Sequence, residues 1–325
     1  MPTIAQQNML TLVELAKNIA PNGQLHKVAE ILARFMRIWD DMPWYEANDI
    51  FSHVSAQEYS EPEGELRTLN DGVGTETVQT DNIRDVLCMI ETYCESDIAL
   101  VNAAPNPMAF RNGRAARFIR GLSKTFVRNI FYGNNGTNPK AFNGLAVRLD
   151  DLDQENVVGG GGTGSDLTSV YVVQWGEGKA WCGYPRGSQS GVDHRDLGEV
   201  TAITAAGKKF QAYRDWFKVH GGLVVEDARS IGRYCNIETS GTSNIFDEDL
   251  LIELMNNMID DWSGAGIYCN QTIMTQMEIR VKDKTNVNYS FQDGLAPGPV
   301  LTFKGVPVRL VDKNILLNTE AAVIS

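Results

Sequence analysis

The stretch PMAFRNGRAARFIRGLSKTFVRNIFY, residues 107–132, followed by Gly133-Asn134-Asn135-Gly136-Thr137, decides how the rest of the chain is read. Proline suits a first helical position and glycine a helix end, so Pro107 and Gly133 mark the two boundaries. At 100° per residue, Ala115, Phe118, Ile119, Leu122, Phe126 and Ile130 fall on one face, while Arg114, Arg117, Arg120, Lys124 and Arg128 fall on another. The spacing predicts one continuous helix, about 35–40 Å long at a rise of 1.5 Å per residue. The apolar face must pack on a body. The basic face is a solvated surface, or it meets nucleic acid or an acidic protein segment.

Upstream, Trp44 to Asp81 is poor in aliphatic residues and sets Glu46, Asp49, Glu58, Glu61, Glu63, Glu65, Asp71, Glu76 and Asp81 against one cation, Arg67. Turn formers at Pro62, Gly64, Asn70-Asp71-Gly72 and Gly74 predict a long acidic β-hairpin, with strands at Ile50–Val54 and Thr75–Thr80. Before it, Thr3–Ala20 and Gln24–Trp39 read as two amphipathic helices, the second carrying Leu25, Val28, Leu32, Phe35 and Trp39 on one side. Between the hairpin and the long helix, Ile83–Tyr93 alternates at Val86, Cys88 and Ile90 yet has the length of a helix; the favoured reading is a strand running into a short helix that ends near Ala103-Ala104-Pro105.

Downstream of the long helix the chain is punctuated by glycine. Leu167–Trp175 reads as a strand, and Gly176-Glu177-Gly178-Lys179 as a hairpin turn into Ala180–Tyr184. Helices are expected over Asp247–Trp262 and Gln271–Val281. Strands are expected at Ile267–Cys269, Val300–Phe303, Gly305–Val311 and Ala321–Ile324. The class is mixed α+β.

With 325 residues, 43% hydrophobic and 22% charged, the chain has a globular composition and room for about two domains. No apolar run approaches the roughly 18 residues of a membrane span, and the N-terminus has no basic-then-apolar signal pattern. A net charge of −12 argues against a chain whose main task is to grip nucleic acid. Five cysteines, Cys88, Cys94, Cys182, Cys235 and Cys269, form no CxxC pair and read as reduced thiols.

Several motifs come close to chemistry and fall short. Gly159 to Gly164 lacks the lysine and following helix of a phosphate loop, and occurs too seldom for a calcium-binding repeat. Asp150, Asp151 and Asp153 lack the rest of an EF-hand. His26, His53, His194 and His220 have no metal-ligand spacing. Gly187-Ser188-Gln189-Ser190-Gly191 puts glutamine where a nucleophile elbow needs serine. No catalytic, metal or cofactor-binding residue is expected.

The order of parts carries more information than any single motif. Asp41-Met42-Pro43-Trp44 precedes the hairpin, and Phe131-Tyr132-Gly133-Asn134 and Gly144-Leu145 follow the long helix. Then come Ser169-Val170-Tyr171-Val172-Val173-Gln174-Trp175-Gly176 and Gly183-Tyr184-Pro185-Arg186-Gly187. Asp196-Leu197-Gly198-Glu199, Gly222-Leu223-Val224-Val225-Glu226-Asp227-Ala228-Arg229 and Phe303-Lys304-Gly305-Val306-Pro307-Val308 complete the series. In this order the chain resembles the major capsid proteins of tailed bacteriophages, with the Hong Kong ninety-seven type fold. Among them it is most similar to the family of epsilon-fifteen-like short-tailed phages.

The resemblance implies an N-terminal helical arm over residues 1–43, an extended loop over 44–81 and a peripheral domain over 82–163 with the spine helix at 107–132. It further implies a mainly axial domain over 164–299 and return strands over 300–325. The implied function is that of a structural subunit of an icosahedral capsid, assembling into hexamers and pentamers around double-stranded DNA. The location is then the virion shell, built in the host cytoplasm. The implied partners are copies of itself, a separate scaffolding protein (only about forty residues precede the loop), a portal protein, a decoration protein and packaged DNA as a weak non-specific neighbour, with no membrane. Nothing marks a Lys/Asn pair for isopeptide formation.

Intersubunit contact is expected between Arg114, Arg117, Arg120, Lys124 and Arg128 on one copy and Glu58, Glu61, Glu63 and Glu65 on another. Two alternatives stand beside this reading. One is an encapsulin-like compartment. The other, from a different class, is a cytosolic carbohydrate-acting enzyme with two converging carboxylates in the glycine-rich half.

Overall fold

The structure, a computed structural model, describes residues 37–60, 64–75, 77–204, 206–258, 262–281, 289–292 and 300–323. The first expected arm helix, most of the second, Glu61, Glu63 and the side chain of Glu58 lie outside the described residues. The end of the second arm helix is α1 (Arg37–Asp41), which stops just before Pro43. Ile38 of α1 is buried, and Trp39 packs edge-on against Phe126 at 5.3 Å.

The acidic hairpin forms from β2 (Ser52–Ser60) and β3 (Gln79–Val86), paired antiparallel from Ser52↔Val86 to Ser60↔Gln79 as a two-stranded sheet of their own. The ladder sits later in both strands than the turn residues suggested. Asp85 is the reason: its carboxylate is bonded to Arg148 and accepts from the Val225 N–H at 3.1 Å, which holds the strand ends to the body. The Trp44–Glu46 segment, expected within the loop, is instead β1 and pairs in parallel with β7 (Ala180–Tyr184).

β4 (Cys88–Asp97) then runs into α2 (Ile98–Ala103), capped by the Asp97 carboxylate; the strand-then-helix order is as expected, but Ile83–Val86 belongs to β3 of the hairpin rather than to this strand. The long helix, α3, spans Pro107–Tyr132 with Asn106 as N-cap, its side chain accepting from the Ala109 N–H. Gly133 ends it, although not through a left-handed conformation, since its φ is −57°. Glycine is needed there because a Cβ would overlap the carbonyl oxygens of Asn129 and Phe142. α4 (Leu145–Arg148) follows.

Two sheets take up the rest. The five-stranded sheet is organised on β9 (Lys209–Val225), which pairs with β4, with β7 and with β8 (Val192–Ile203). The seven-stranded sheet runs in the order β12 (Tyr289–Gln292), β13 (Val300–Phe303), β14 (Val306–Leu310), β11 (Ala265–Cys269), β6 (Leu167–Gln174), β10 (Ile231–Glu238), β5 (Val157–Gly159). The stretch 164–299 is therefore divided between the sheets. Gly176–Lys179 turns the chain, but not into a hairpin: β6 and β7 lie in different sheets. Ala321 to Val323 is irregular rather than a strand.

Every residue of β6 is buried, because both faces of its sheet are covered. Val170 and Val172 pack with α5 (Glu248–Asn257) and α6 (Gln271–Arg280) through Leu251, Leu254, Met255, Ile273 and Met277. Tyr171 and Val173 point the other way, to Phe126, Ile130, Phe131 and Leu145. The end of α3 is thus buried more widely than one stripe, taking in Val127 and Phe131 as well.

The irregular C-terminal segment closes this second layer. Glu320, 8% exposed, bonds to Tyr132 and Ser169 and pairs with Arg233 at 2.9 Å, while Arg233 also donates to the Leu149 carbonyl at 2.9 Å. Removing one member of a buried pair leaves the other charge uncompensated. Glu320→Ala should therefore cost about 3–5 kcal/mol in unfolding experiments, and Glu320→Gln less. Gly113 and Gly121 lie within α3, where an added Cβ would meet nothing within 4 Å. Gly113→Ala and Gly121→Ala should each stabilise the chain by about 0.5–1 kcal/mol in the same measurement, and an unchanged midpoint would contradict this.

Candidate functional site

The basic stripe lies where the helical spacing put it. Arg117 and Arg128 are exposed, and Arg114, Arg120 and Lys124 are half-buried along their stems. Among the described residues no carboxylate lies within 4.0 Å of Arg114, Arg117, Lys124 or Arg128. The structure does not bring the stripe together with the expected acidic partners of the same chain: Glu65 is exposed on the far end of the hairpin.

Sequence reasoning missed Arg111. One turn before the stripe, its guanidinium pairs with Asp196 at 2.9 Å and Asp215 at 3.2 Å and lies over the Tyr213 ring at 4.6 Å. Asp215 is buried and also faces His194 at 3.1 Å. These contacts fasten α3 to the β8–β9 ribbon. Arg111 looks in the sequence like one more stripe residue, and its partners lie about a hundred positions away, so no local signal marks it.

Among the described residues, the contacts that hold the hairpin to the body lie away from its tip. Beyond Asp85, Gln57 donates to the Glu226 carbonyl at 2.6 Å and His53 faces the Glu226 carboxylate at 3.5 Å. Toward the tip the chain is irregular and presents Leu66 at 104% and Leu69 at 95% of full exposure. A soluble surface tolerates scattered apolar residues, but two fully exposed leucines three positions apart form an adhesive end.

The motifs that fell short in the sequence have structural roles. The N–H groups of Gly160 and Gly162 donate to the carbonyls of Cys235 and Asn236 at 2.8 and 2.9 Å, so they are not offered to a phosphate. A Cβ at Gly162 would stand 2.6 Å from the Asn236 oxygen, which is why glycine recurs there. All five cysteines are buried; burial pushes Cys88 and Cys269 up to about 12 and Cys235 to about 11, which keeps these thiols protonated. Burial, with Lys218 adding to it, lowers His220 to about 4 and keeps its imidazole neutral. No group of three or more His, Cys, Asp or Glu side chains able to hold a metal occurs among the described residues. No described helix is long and apolar enough to cross a membrane. The arrangement is suited to adhesion between surfaces.

Comparison with known proteins accords with that geometry. The solved structure of bacteriophage Epsilon15 is similar over 99% of this chain and 99% of its own, at 26% identity and a TM-score of 0.72. The holo-SrpI encapsulin complex from Synechococcus elongatus PCC 7942 has 9% identity and a TM-score of 0.48 over 72% of this chain and 98% of its own. The bacteriophage JBD30 capsid has 11% identity and a TM-score of 0.48 over 95% and 100%. Neither of these two is similar enough to carry an argument. No curated protein matches the chain. The model of the major capsid protein GP7 family matches residues 20–324. Structural rather than enzymatic, and built to tile a lattice of capsomers in the virion shell, the chain belongs to the GP7 family of phage major capsid proteins.

Proposed function

We propose that this capsid subunit holds its neighbours through the basic stripe of α3 and the acidic hairpin, with hexamers and pentamers as the units of its icosahedral lattice. The observation that carries the reading is the unequal treatment of cations along one helix. Arg111 is spent on Asp196 and Asp215 within the chain, whereas Arg114, Arg117, Lys124 and Arg128 find no carboxylate among the described residues. In a lattice the nearest abundant acid is another copy's segment containing Glu58, Glu61, Glu63 and Glu65. Each exposed pair contributes only about 0.2–1 kcal/mol, but symmetry repeats it at every equivalent contact. The net charge of −12 supports packaged DNA as a weak, non-specific neighbour rather than the partner of the stripe.

The described cavity beside the hairpin base lends the enzyme alternative no support. The cavity beside the hairpin base carries a single carboxylate in its lining, Glu155, where glycoside hydrolysis needs two.

Arg117→Glu with Arg128→Glu should block shell assembly, as seen by negative-stain microscopy, and adding Glu61→Lys with Glu63→Lys should partly restore it. Normal empty shells from the arginine variant, with a defect only on packaging, would assign the stripe to DNA. Deleting Glu58 to Val78 should leave a soluble, folded chain that closes no shell. Unfolding of that variant, or normal shells from it, would contradict the role given to the hairpin.

A further inference from the structure

We propose that Asp71–Gly72, between the strands of the β2–β3 hairpin, is a spontaneous modification site at which aspartate rearranges to isoaspartate, while the fold shields the Asn–Gly steps that would otherwise react first. The step is internal to one chain and needs no neighbouring subunit, so it stands apart from the shell reading.

An Asx–Gly step rearranges when the glycine amide nitrogen reaches the side-chain carbonyl carbon of the residue before it. Glycine favours this because no Cβ hinders the approach, and short Asx side chains reach their own backbone readily. The described residues contain four such steps: Asp71–Gly72, Asn112–Gly113, Asn135–Gly136 and Asn143–Gly144. In an unfolded chain at neutral pH the asparagines lead, since a side-chain amide gives up ammonia more readily than a carboxylate gives up water. The structure reverses the ease of approach.

At Asp71 the Gly72 nitrogen lies 3.0 Å from Oδ1, beside the carbon it must attack. Every residue from 64 to 75 is exposed, and a Cβ at Gly72 would meet nothing within 4 Å. Asn70, at φ +67°, turns the chain here. Two bonds cross the tip, from the Asp71 N–H to the Thr68 carbonyl at 3.3 Å and from the Gly74 N–H to the Glu65 carboxylate at 3.2 Å. Neither holds the Gly72 nitrogen or the Asp71 side chain. The asparagines stand differently. Gly113 lies inside α3, whose helical backbone keeps its nitrogen away from the Asn112 side chain. The Gly136 N–H is donated to Asn134 Oδ1 at 2.8 Å. The Gly144 N–H is donated to the Gly133 carbonyl at 2.8 Å, and the Asn143 side-chain oxygen accepts from the Asn135 N–H at 2.9 Å.

The chemistry balances without a co-reactant. The bond from Gly72 N to Asp71 Cγ forms, the Cγ–OH bond of the protonated carboxyl group breaks, and the hydroxyl leaves with the amide proton as water. Water then opens the five-membered ring. Where it attacks the former main-chain carbonyl of Asp71, the chain runs on through Cβ and Cγ. The main chain is then one atom longer at the tip, and the α-carboxylate becomes a short side group.

The test uses the full chain, incubated at neutral pH both folded in buffer and unfolded in urea. Isoaspartate is read with a protein isoaspartyl methyltransferase and a labelled methyl donor, and assigned to positions by peptide mass spectrometry. Folding should leave formation at position 71 as fast as in urea, and should slow formation at 112, 135 and 143. Gly72→Val has room for its side chain and a φ outside the left-handed region, so it should keep the melting temperature and lose the signal at 71. Absence of isoaspartate at 71, slower formation there on folding, unslowed formation at the asparagines, or a signal at 71 undiminished by Gly72→Val would each overturn the assignment.

Discussion

The buried pair between Arg233 and Glu320 is the constraint on which the rest of the molecule depends. Two charges removed from water are tolerated only when every remaining hydrogen-bonding position is satisfied, and here five parts of the chain supply the partners. Arg233 comes from β10 and donates to Ser169 of β6 and to the Leu149 carbonyl just after α4; Glu320 comes from the C-terminal segment and receives Tyr132 from the last turn of α3. Tyr132 in turn accepts from the Leu317 N–H at 3.0 Å. A displacement of the spine helix, either strand or the C-terminal segment would strand a charge, so the pair fixes their mutual positions.

Around that point the body is built without slack. β6 is covered on both faces, and the close approaches at Gly133, Gly160 and Gly162 leave no space for a side chain. The hairpin is built oppositely. Its two strands form a sheet of their own, held to the rest of the chain at Asp85, His53, Val54 and Gln57, with leucines in solvent at its end. An isolated two-stranded ribbon is marginal in water, and within the described residues this one is buried at Ser52 and Asp85 while its end is exposed. A close-packed body with an adhesive, unburied extension is the physical form of a subunit whose folding is completed by assembly.

The electrostatics divide along the same line. Ion pairs that hold the body together are short and local to the packing, as at Arg148–Asp85, Arg111–Asp215 and Arg309–Asp41. Among the described residues, Arg114, Arg117, Lys124 and Arg128 of α3 and Glu65 of the hairpin lie outside that set. Buried thiols with raised pKa and backbone N–H groups already spent on carbonyls leave the glycine-rich half with packing roles in place of chemistry.

What the sequence determined by itself was local and periodic. The boundaries of α3 followed from Pro107, Gly133 and the 3.6-residue spacing, and α2, α6 and β7 from similarly local patterns, because caps, turns and amphipathic faces are written within a few residues of where they act. The stripe of α3 was legible for the same reason, as were the acidity of Trp44 to Asp81 and the presence of a hairpin there, though not that Trp44–Glu46 stands outside it as β1. Only the tertiary structure decided the register of β2 on β3, since Asp85 is pinned by Arg148 and Val225 rather than by the turn. It also decided that the turn after β6 leads into a different sheet, that Arg111 is paired with Asp196 and Asp215 of the body, and that Glu320 in an irregular tail is a keystone. Each of these depends on partners tens to hundreds of positions apart. Desolvation makes such partners obligatory, and no local pattern encodes them.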